Sequence, residues 1–456
     1  VTHVTIVGGG PGGYEAALVA SRLGAEVTLV ERDGLGGSTV LTDCVPSKTL
    51  IATSDLLTEV GTSAELGVQL PKDVRADLAS VNARVLTLAQ AQSDDIAQRL
   101  TTSNVTMIDG TATVESAGVV TATTADGEVR IETDAILLAT GAHPRISPAA
   151  QPDGERILTW EQVYNLQDLP EHMIVVGSGV TGAEFASAYN GLGAAVTLVS
   201  SRDRVLPGED IDAANVIEAV FKRRGMTVMG NSRMASVERT SDGVRVTLTD
   251  GRTVDGSHCL LAIGSIPNTE GLGLEEVGVA LNDNGFVHVD RVSRTSVRGI
   301  YAAGDVTGVL MLASVAAQQG RIAMSHLLGD AVHPLDLGKV ASNVFTSPEI
   351  ATVGLSQQQV DESDLQIDVA MLPLASNPRA KMQGVHDGFV KIFARRGMGI
   401  VVGGVVVAPR ASELIHALSL AVSASLTVDQ VADAFTVYPS LSGSVAEAAR
   451  RLHRLG

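Results

Sequence analysis

One stretch of this sequence occurs twice, and the repeat constrains the fold more than any other feature. Residues 4–33 read VTIVGGGPGGYEAALVASRLGAEVTLVERD, and residues 173–203 read MIVVGSGVTGAEFASAYNGLGAAVTLVSSRD. A displacement of 169 residues carries Gly8, Gly10 and Gly13 onto Gly177, Gly179 and Gly182, Glu15 onto Glu184, Gly24 onto Gly193, and one VTLV onto the other. Each copy has an apolar strand, a G-x-G-x-x-G turn, a helix of small residues and a second strand, which is a βαβ unit. The three glycines permit the tight turn, the approach of backbone to a pyrophosphate and the packing of helix on sheet, while the helix N-terminus faces the phosphate charge. A single G-x-G-x-x-G is weak evidence. Two in register, each in full βαβ context, predict an α/β chain with two dinucleotide sites.

Composition narrows the class of protein. A chain of 456 residues is too long for one core and divides into several domains. Hydrophobic residues make up 45% and charged residues 18%, and there are 47 glycines, a balance suited to buried sheets and tight turns rather than disorder. A net charge of −18 repels nucleic acid and anionic membrane surfaces, so neither is expected as a partner. The sequence has no uninterrupted apolar run of about 18 residues, so no membrane insertion is predicted. The opening VTHVTIVGGG runs straight into a turn with no charged segment ahead of it, which predicts a cytoplasmic protein. Two cysteines make no disulfide framework, and no zinc-type spacing occurs, so no metal is expected. Cys259, in the apolar run HCLLAIG, reads as a small buried hydrophobe.

The two copies differ where the second strand ends. Glu31 places a carboxylate there that can accept hydrogen bonds from an adenosine ribose, and its counterpart is Ser200, followed by Ser201, Arg202, Asp203 and Arg204. Loss of the carboxylate removes a repulsion against a 2′-phosphate, and Arg202 or Arg204 can pair with that phosphate, so NADPH is expected to be accepted. If these arginines are only solvated surface groups, NADH and NADPH are used alike. Three further strands end in similar turns: AILLATGAHPR with Thr140 and Gly141, CLLAIGSIPN with Gly264, and GIYAAGDVTG with Gly304 and Asp305. An aspartate in such a turn can be a turn former. In a dinucleotide fold it reads better as a hydroxyl acceptor at the mouth of the sheet. From about residue 340 short β-type runs alternate with the helical ASELIHALSLAVSASL, as in a packing or subunit-interface domain. Thr427 to Gln430 and Ser444 to Glu447 fit capping boxes for two more helices.

Together these motifs resemble the flavoprotein disulfide reductase family, which includes lipoamide dehydrogenase, glutathione reductase and mercuric reductase. The resemblance covers nearly the whole chain: VGGGPGGYEAA, GGSTVLTDCVPSK, LLATGAHPR, VVGSGVTGAEFA, AIGSIPN, YAAGDVTG and FTSPEIATVGLS stand in the family's order. It implies a glutathione reductase-like fold, with two Rossmann-like dinucleotide-binding domains and a C-terminal α+β interface domain. The implied boundaries are 1–157 for the first part of an FAD domain, 158–275 for an NAD(P)H domain, 276–337 for a returning FAD or central segment, and 338–456 for a dimerisation domain. FAD would occupy the first glycine turn, NADPH or NADH the second, and the chain would form a homodimer. By the same resemblance Glu31 would bind the FAD adenosine ribose and Asp305 the ribityl chain. Lys48 would lie near the flavin and pair with Glu184.

The departures from that family are as informative as the matches. The family's redox motif is GG-x-C-x-x-x-x-C-x-P-S-K, and here Thr39 holds the first cysteine position while Cys44 keeps the second. Near the C-terminus the family's H-P-T-x-x-E becomes YPSLSG, with Tyr438 and Gly443 in place of the base and its orienter. Disulfide exchange needs one thiolate to attack, a second to resolve the mixed disulfide, and a proton for the leaving thiol. A threonine hydroxyl forms no disulfide, so turnover of lipoamide or glutathione disulfide is expected to be negligible. Hydride transfer from nicotinamide to flavin needs neither lost group. Cys44 and Lys48 stand at the start of a helix that Pro46 can open, where a lone thiol can touch the flavin but cannot store two electrons. Val180, small where some relatives place a gating tyrosine, either leaves the nicotinamide pocket open to an acceptor or is ordinary packing. The expected activity is an NAD(P)H:quinone reductase, similar to the quinone-reducing lipoamide-dehydrogenase-like flavoproteins of actinobacteria. The competing readings are a soluble pyridine nucleotide transhydrogenase, a single-thiol peroxidase using Cys44, and a non-catalytic module that keeps FAD only for structure.

Overall fold

The computed structural model describes residues 1–71 and 73–453. The early part of the chain holds β1 (His3–Val7), α1 (Pro11–Arg22), β2 (Glu26–Glu31), α2 (Gly37–Leu41), α3 (Cys44–Thr62), α4 (Leu78–Thr102), β3 (Thr106–Asp109) and β4 (Ala135–Leu138). The middle holds β5 (Ile157–Thr159), β6 (His172–Val176), α5 (Val180–Leu192), β7 (Ala195–Val199), α6 (Ile211–Arg223), β8 (Thr227–Met229), β9 (His258–Leu261), β10 (Ile300–Ala302) and α7 (Ala313–Leu327). The last part holds β11 (Ala341–Val344), β12 (Glu349–Gly354), β13 (Ile367–Pro373), β14 (Phe389–Arg395), β15 (Val401–Ala408), α8 (Ala411–Ser423), α9 (Val428–Asp433) and α10 (Gly443–Arg450). These elements fall into two compact units, residues 1–49, 82–145 and 263–336 in one, and 50–81, 146–262 and 337–456 in the other.

The first unit is built on a parallel sheet of order β10-β4-β1-β2-β3. Val4, Ile6, Leu29, Ile136 and Leu137 are fully buried in it, as expected of strands covered on both faces. The small residues of α1 let helices approach closely: a Cβ on Gly320 of α7 would stand 2.1 Å from the Gly12 carbonyl oxygen. Strand order reverses on either side of β1, the arrangement that opens a ligand crevice at the carboxyl ends of the strands.

The second unit carries a matching parallel sheet of order β8-β7-β6-β9-β5. The duplication extends beyond the glycines. His3 reaches the Thr28 hydroxyl at 3.0 Å, and His172, 169 residues later, reaches the Thr197 hydroxyl at 2.9 Å. This unit also contains the antiparallel sheet β11-β12-β15-β14-β13, packed against α8 and α10 around Val390, Ile392, Val406 and Leu418. Thr427 caps α9 in a capping box with Gln430, as the sequence suggests. The second expected box does not form. α10 starts at Gly443 without a side-chain cap, because the buried Ser444 hydroxyl instead accepts a hydrogen bond from Asn377 Nδ2 at 2.8 Å. Among the described residues no helix is long and apolar enough to cross a membrane.

Candidate active site

In the first unit the backbone ladder continues past the strand ends. Gly8 N–H donates to Val30 at 2.8 Å, Ala139 N–H to Val7 at 2.7 Å and Ala303 N–H to Leu138 at 2.9 Å. The ladder brings Gly8, Thr140 and Gly304 out at the same edge of one sheet. Gly8 has φ +102°, a Cβ on it would stand 2.3 Å from Ala139 O, and a Cβ on Gly13 would stand 1.9 Å from Gly8 O. Packing within the protein therefore accounts for the first and third glycines. It does not account for Gly10, where the nearest atom to a Cβ would be 4.0 Å away and which caps α1 with no side-chain bond. Open space at a helix N-terminus of 12 residues is what a pyrophosphate needs.

Glu31 closes this turn. Its Oε2 accepts the Gly9 amide at 2.5 Å and its Oε1 accepts the amides of Arg32 and Asp33, both at 2.7 Å. Oε1 also takes the Gly34 amide at 3.3 Å, but Oε2 accepts a single amide, so acceptor capacity remains on Oε2 for a ribose hydroxyl. Thr140 and Gly141 are held by Asn268, whose Nδ2 donates to Thr140 O at 2.8 Å and whose amide donates to Gly141 O at 3.0 Å. The Thr140 hydroxyl donates back to Asn268 O at 2.7 Å. Gly264 also belongs to this unit, with its carbonyl accepting the Arg145 amide at 2.8 Å. Gly304 N–H donates to the buried Gln319 side chain at 2.8 Å, which fixes the turn carrying Asp305. Burial, with the charge of Asp43 added, pushes the Asp305 carboxyl up to about 6. Asn268, Gln319 and Asp43 are residues that sequence reasoning missed. Only Asn268 and Asp43 left a signal, as members of the motifs AIGSIPN and GGSTVLTDCVPSK.

The second glycine turn repeats the geometry. A Cβ on Gly177 would stand 2.0 Å from Ala262 O and one on Gly182 would stand 1.8 Å from Gly177 O, whereas nothing lies within 4 Å of Gly179. α5 again starts on a glycine without a side-chain cap. The residues of both turns thus fit a dinucleotide phosphate. Ser200 is fully buried; its hydroxyl shares a hydrogen bond of 2.6 Å with Ser178 Oγ and donates to the Arg202 carbonyl at 3.1 Å. The Ser200 hydroxyl therefore holds the loop and faces inward. Arg202 is exposed, while Arg204 lies half-buried with Nη2 donating to Pro207 O at 3.3 Å and Nε enclosed without a protein partner. Val180, at the first position of α5, is exposed.

In the redox segment Thr39 lies in α2 and Cys44 begins α3, two residues earlier than Pro46. Lys48 lies one turn further along that helix, and Cys44 is half-buried. Neither cysteine is in a disulfide. Cys259 is fully buried in β9, where burial pushes its thiol far up, so it serves as a core residue. Glu15 and Glu184, equivalent in the repeat, have diverged. Glu15 pairs with Arg321 at 2.9 Å near the surface, and Glu184 is buried on α5, accepting the Phe345 amide at 2.8 Å. Tyr438 stands on an exposed loop with Phe435 and Val437.

Comparison with known proteins agrees with this geometry. Residues 2–320 match the pyridine nucleotide-disulphide oxidoreductase family, and residues 340–449 match the dimerisation domain of that family. The chain is 55% identical to a Mycobacterium tuberculosis protein named NAD(P)H dehydrogenase (quinone), over 99% of this chain and 94% of the other. It is 32% identical to a dihydrolipoyl dehydrogenase of Geobacillus stearothermophilus, over 98% and 95% of the two chains. The crystal structure of LpdA from M. tuberculosis superposes with a TM-score of 0.95 at 55% identity, covering 100% of both chains. Two glycine turns of one design, each opening at the carboxyl edge of a parallel sheet, and a C-terminal domain of the matching kind make this chain a member of the pyridine nucleotide-disulphide oxidoreductase family.

Proposed function

We propose that the chain is an FAD-dependent NAD(P)H:quinone oxidoreductase without disulfide reductase activity, working as a homodimer in the cytoplasm. The observation that carries this reading is that the redox segment holds one thiol, Cys44, and no second. Thr39 holds the place of a second thiol, and the other cysteine is sealed inside β9. A single thiol can enter a mixed disulfide but cannot resolve it. The relative named NAD(P)H dehydrogenase (quinone) supports the choice of acceptor, and the dimerisation-domain match supports the homodimer.

FAD, when bound, supplies the chemistry by taking hydride from the nicotinamide and delivering electrons to a quinone. The protein's part is to bind and orient. The open N-terminus of α1 takes the FAD pyrophosphate, Glu31 the adenosine ribose and Asp305 the ribityl hydroxyls, with Asn268 and Gln319 fixing the turns that carry Thr140, Gly141 and Gly304. The N-terminus of α5 takes the nicotinamide dinucleotide and Arg204 or Arg202 a 2′-phosphate, while Gly264 belongs to the strand-end turns of the FAD unit. Lys48 would place a cation near the flavin, and Cys44 would line the same region. Val180 leaves the entrance to the nicotinamide site uncrowded, which suits a planar acceptor.

Anaerobic titration of the holoenzyme with NADPH, followed by menadione or oxidised lipoamide in parallel cuvettes, tests the proposal. One equivalent should bleach the flavin, and menadione alone should restore the colour. Uptake of a second equivalent with reoxidation by lipoamide would overturn it.

A further inference from the structure

Lys391 lies in the middle of β14 and is 2% exposed. Its Nζ donates to Asp210 Oδ2 at 2.8 Å and to Asp212 Oδ2 at 2.6 Å. The rings of Phe389 and Phe393, two residues to either side on the same face of the strand, have centroids 5.7 and 5.9 Å from the ammonium. A cation so enclosed depends on its carboxylates, because an unpaired buried charge is strongly destabilising.

Asp210 does two things at once. Its Oδ1 caps α6, accepting the amides of Asp212 at 3.0 Å and Ala213 at 3.1 Å, while its Oδ2 takes the Lys391 ammonium. The cap ends the loop that leaves β7 at Ser200 and carries Arg202 and Arg204. That loop is fixed at its start by Ser200 on Ser178 and in its middle by the Leu206 amide, which donates to Ser178 O at 2.8 Å. Leu206 has φ +51°, a conformation that an apolar side chain holds only when its surroundings over-determine it. Arg204 rests on Pro207 O at 3.3 Å, so the position of its guanidinium depends on the loop between Leu206 and Asp210.

We propose that Lys391 is a positioning residue for dinucleotide selection: through Asp210 it anchors the loop that presents Arg204 to the 2′-phosphate of NADP(H). The inference rests on the reading of the second glycine turn as the nicotinamide dinucleotide site. Without the ammonium, Asp210 either leaves a charge buried or turns to solvent. In turning it releases the first turn of α6 and, with it, the loop that supports Arg204. The adenosine ribose and pyrophosphate sites at Gly179 do not depend on that anchor, so NAD(H) binding is spared.

The test is calorimetric titration of the FAD-loaded protein with NADP⁺ and with NAD⁺. Lys391→Met should weaken NADP⁺ by about three- to tenfold and NAD⁺ by less than about twofold. Lys391→Arg, which keeps the charge, should restore most of the loss. Asp210→Ser retains a capping oxygen but cannot reach the lysine, so it should reproduce the selective loss even if Lys391→Met fails to fold. Arg204→Ala is the reference. If it weakens NADP⁺ selectively but neither Lys391→Met nor Asp210→Ser does, the anchoring role is wrong while the site stands. If Arg204→Ala has no selective effect, the reading of the loop fails and the inference fails with it.

Discussion

Ser178 and Ser200 share a hydroxyl hydrogen bond of 2.6 Å at the two positions that lie 169 residues after Gly9 and Glu31, themselves joined by an amide-to-carboxylate bond of 2.5 Å. The duplication has kept the contact between glycine turn and second strand while changing its chemistry. In the first copy a charge stands at the strand end with acceptor capacity left for a ribose. In the second, the charge is gone and the hydroxyl is turned inward onto the carbonyls of Arg202 and Arg204. The site that loses a carboxylate is followed by two arginines, Arg202 and Arg204, where the first copy has Arg32 alone, and guanidinium groups with no carboxylate at the strand end suit a 2′-phosphate.

Rebuilding the first arrangement in the second turn should therefore shift cofactor choice towards NADH. The double variant Ser178→Gly/Ser200→Glu restores an amide facing a carboxylate and sets that carboxylate against a 2′-phosphate. The ratio of kcat/KM for NADPH to that for NADH should fall by about tenfold, on the order of 1.4 kcal/mol. An unchanged ratio, with the variant folded, would mean that residue 200 does not face the adenosine ribose.

Retention of FAD should depend on pH through Asp305. Burial and the charge of Asp43 hold its carboxyl near 6, and hydroxyl donors of the ribityl chain favour the charged, accepting form. Affinity for FAD should thus rise as pH increases through about 6 and fall below it. Fluorescence of released flavin across pH 5 to 8 gives the curve, and Asp305→Asn should flatten it. A wild-type curve as flat as that of the variant would remove Asp305 from the flavin site.

Thr39→Cys should return a second thiol on α2, across the two-residue joint from Cys44 at the start of α3. Anaerobic titration of this variant should consume a second equivalent of NADPH per flavin. Oxidised lipoamide should still turn over slowly, because Tyr438 and Gly443 stand where a base and its orienter would be needed. Rapid lipoamide reduction by the single variant would show that the C-terminal base is dispensable, and a single equivalent would show that the two positions do not meet.

What was legible in the sequence and what was not separate along a physical line. The glycine turns could be read because their requirement is local: Gly13 must pass within 1.9 Å, measured at a Cβ, of an oxygen five residues back. The capping box at Thr427 is equally local and formed as expected. The box at Ser444 satisfied the same local rule but failed because Asn377, distant in the chain, takes its hydroxyl. Asn268 on Thr140, Asp43 beside Asp305 and Lys391 on Asp210 are likewise pairings made by the tertiary fold, and no spacing rule announces them. Ser200 shows an intermediate case. The loss of the carboxylate was visible, but the inward turn of the hydroxyl depends on Ser178 and on the carbonyls of the loop that follows.

Asp55 on α3 is largely buried, and that burial, together with the charges of Glu349 and Glu59, pushes its carboxyl up to about 6 against the opposing pull of Arg224. Glu349 cannot readily give way, since its Oε2 accepts the Ser412 amide at 2.8 Å. A folded-state value above the ordinary carboxylate value of 3.8 means that the folded chain binds the proton more tightly than the unfolded one. The stabilisation from that proton is fully present below the ordinary value and is lost as pH rises through about 6. At pH 8 the charged group is a liability, and since solvent reaches part of it the cost is on the order of 1–2 kcal/mol. Asp55→Asn should therefore raise the melting temperature at pH 8 by a few degrees, and the gain should shrink towards pH 5. Thermal unfolding of both proteins across that range decides the matter. A gain that does not change with pH would point to packing or hydrogen bonding of the amide, and a loss at pH 8 would mean that the Asp55 charge is held by Arg224 more strongly than it is opposed by Glu349 and Glu59.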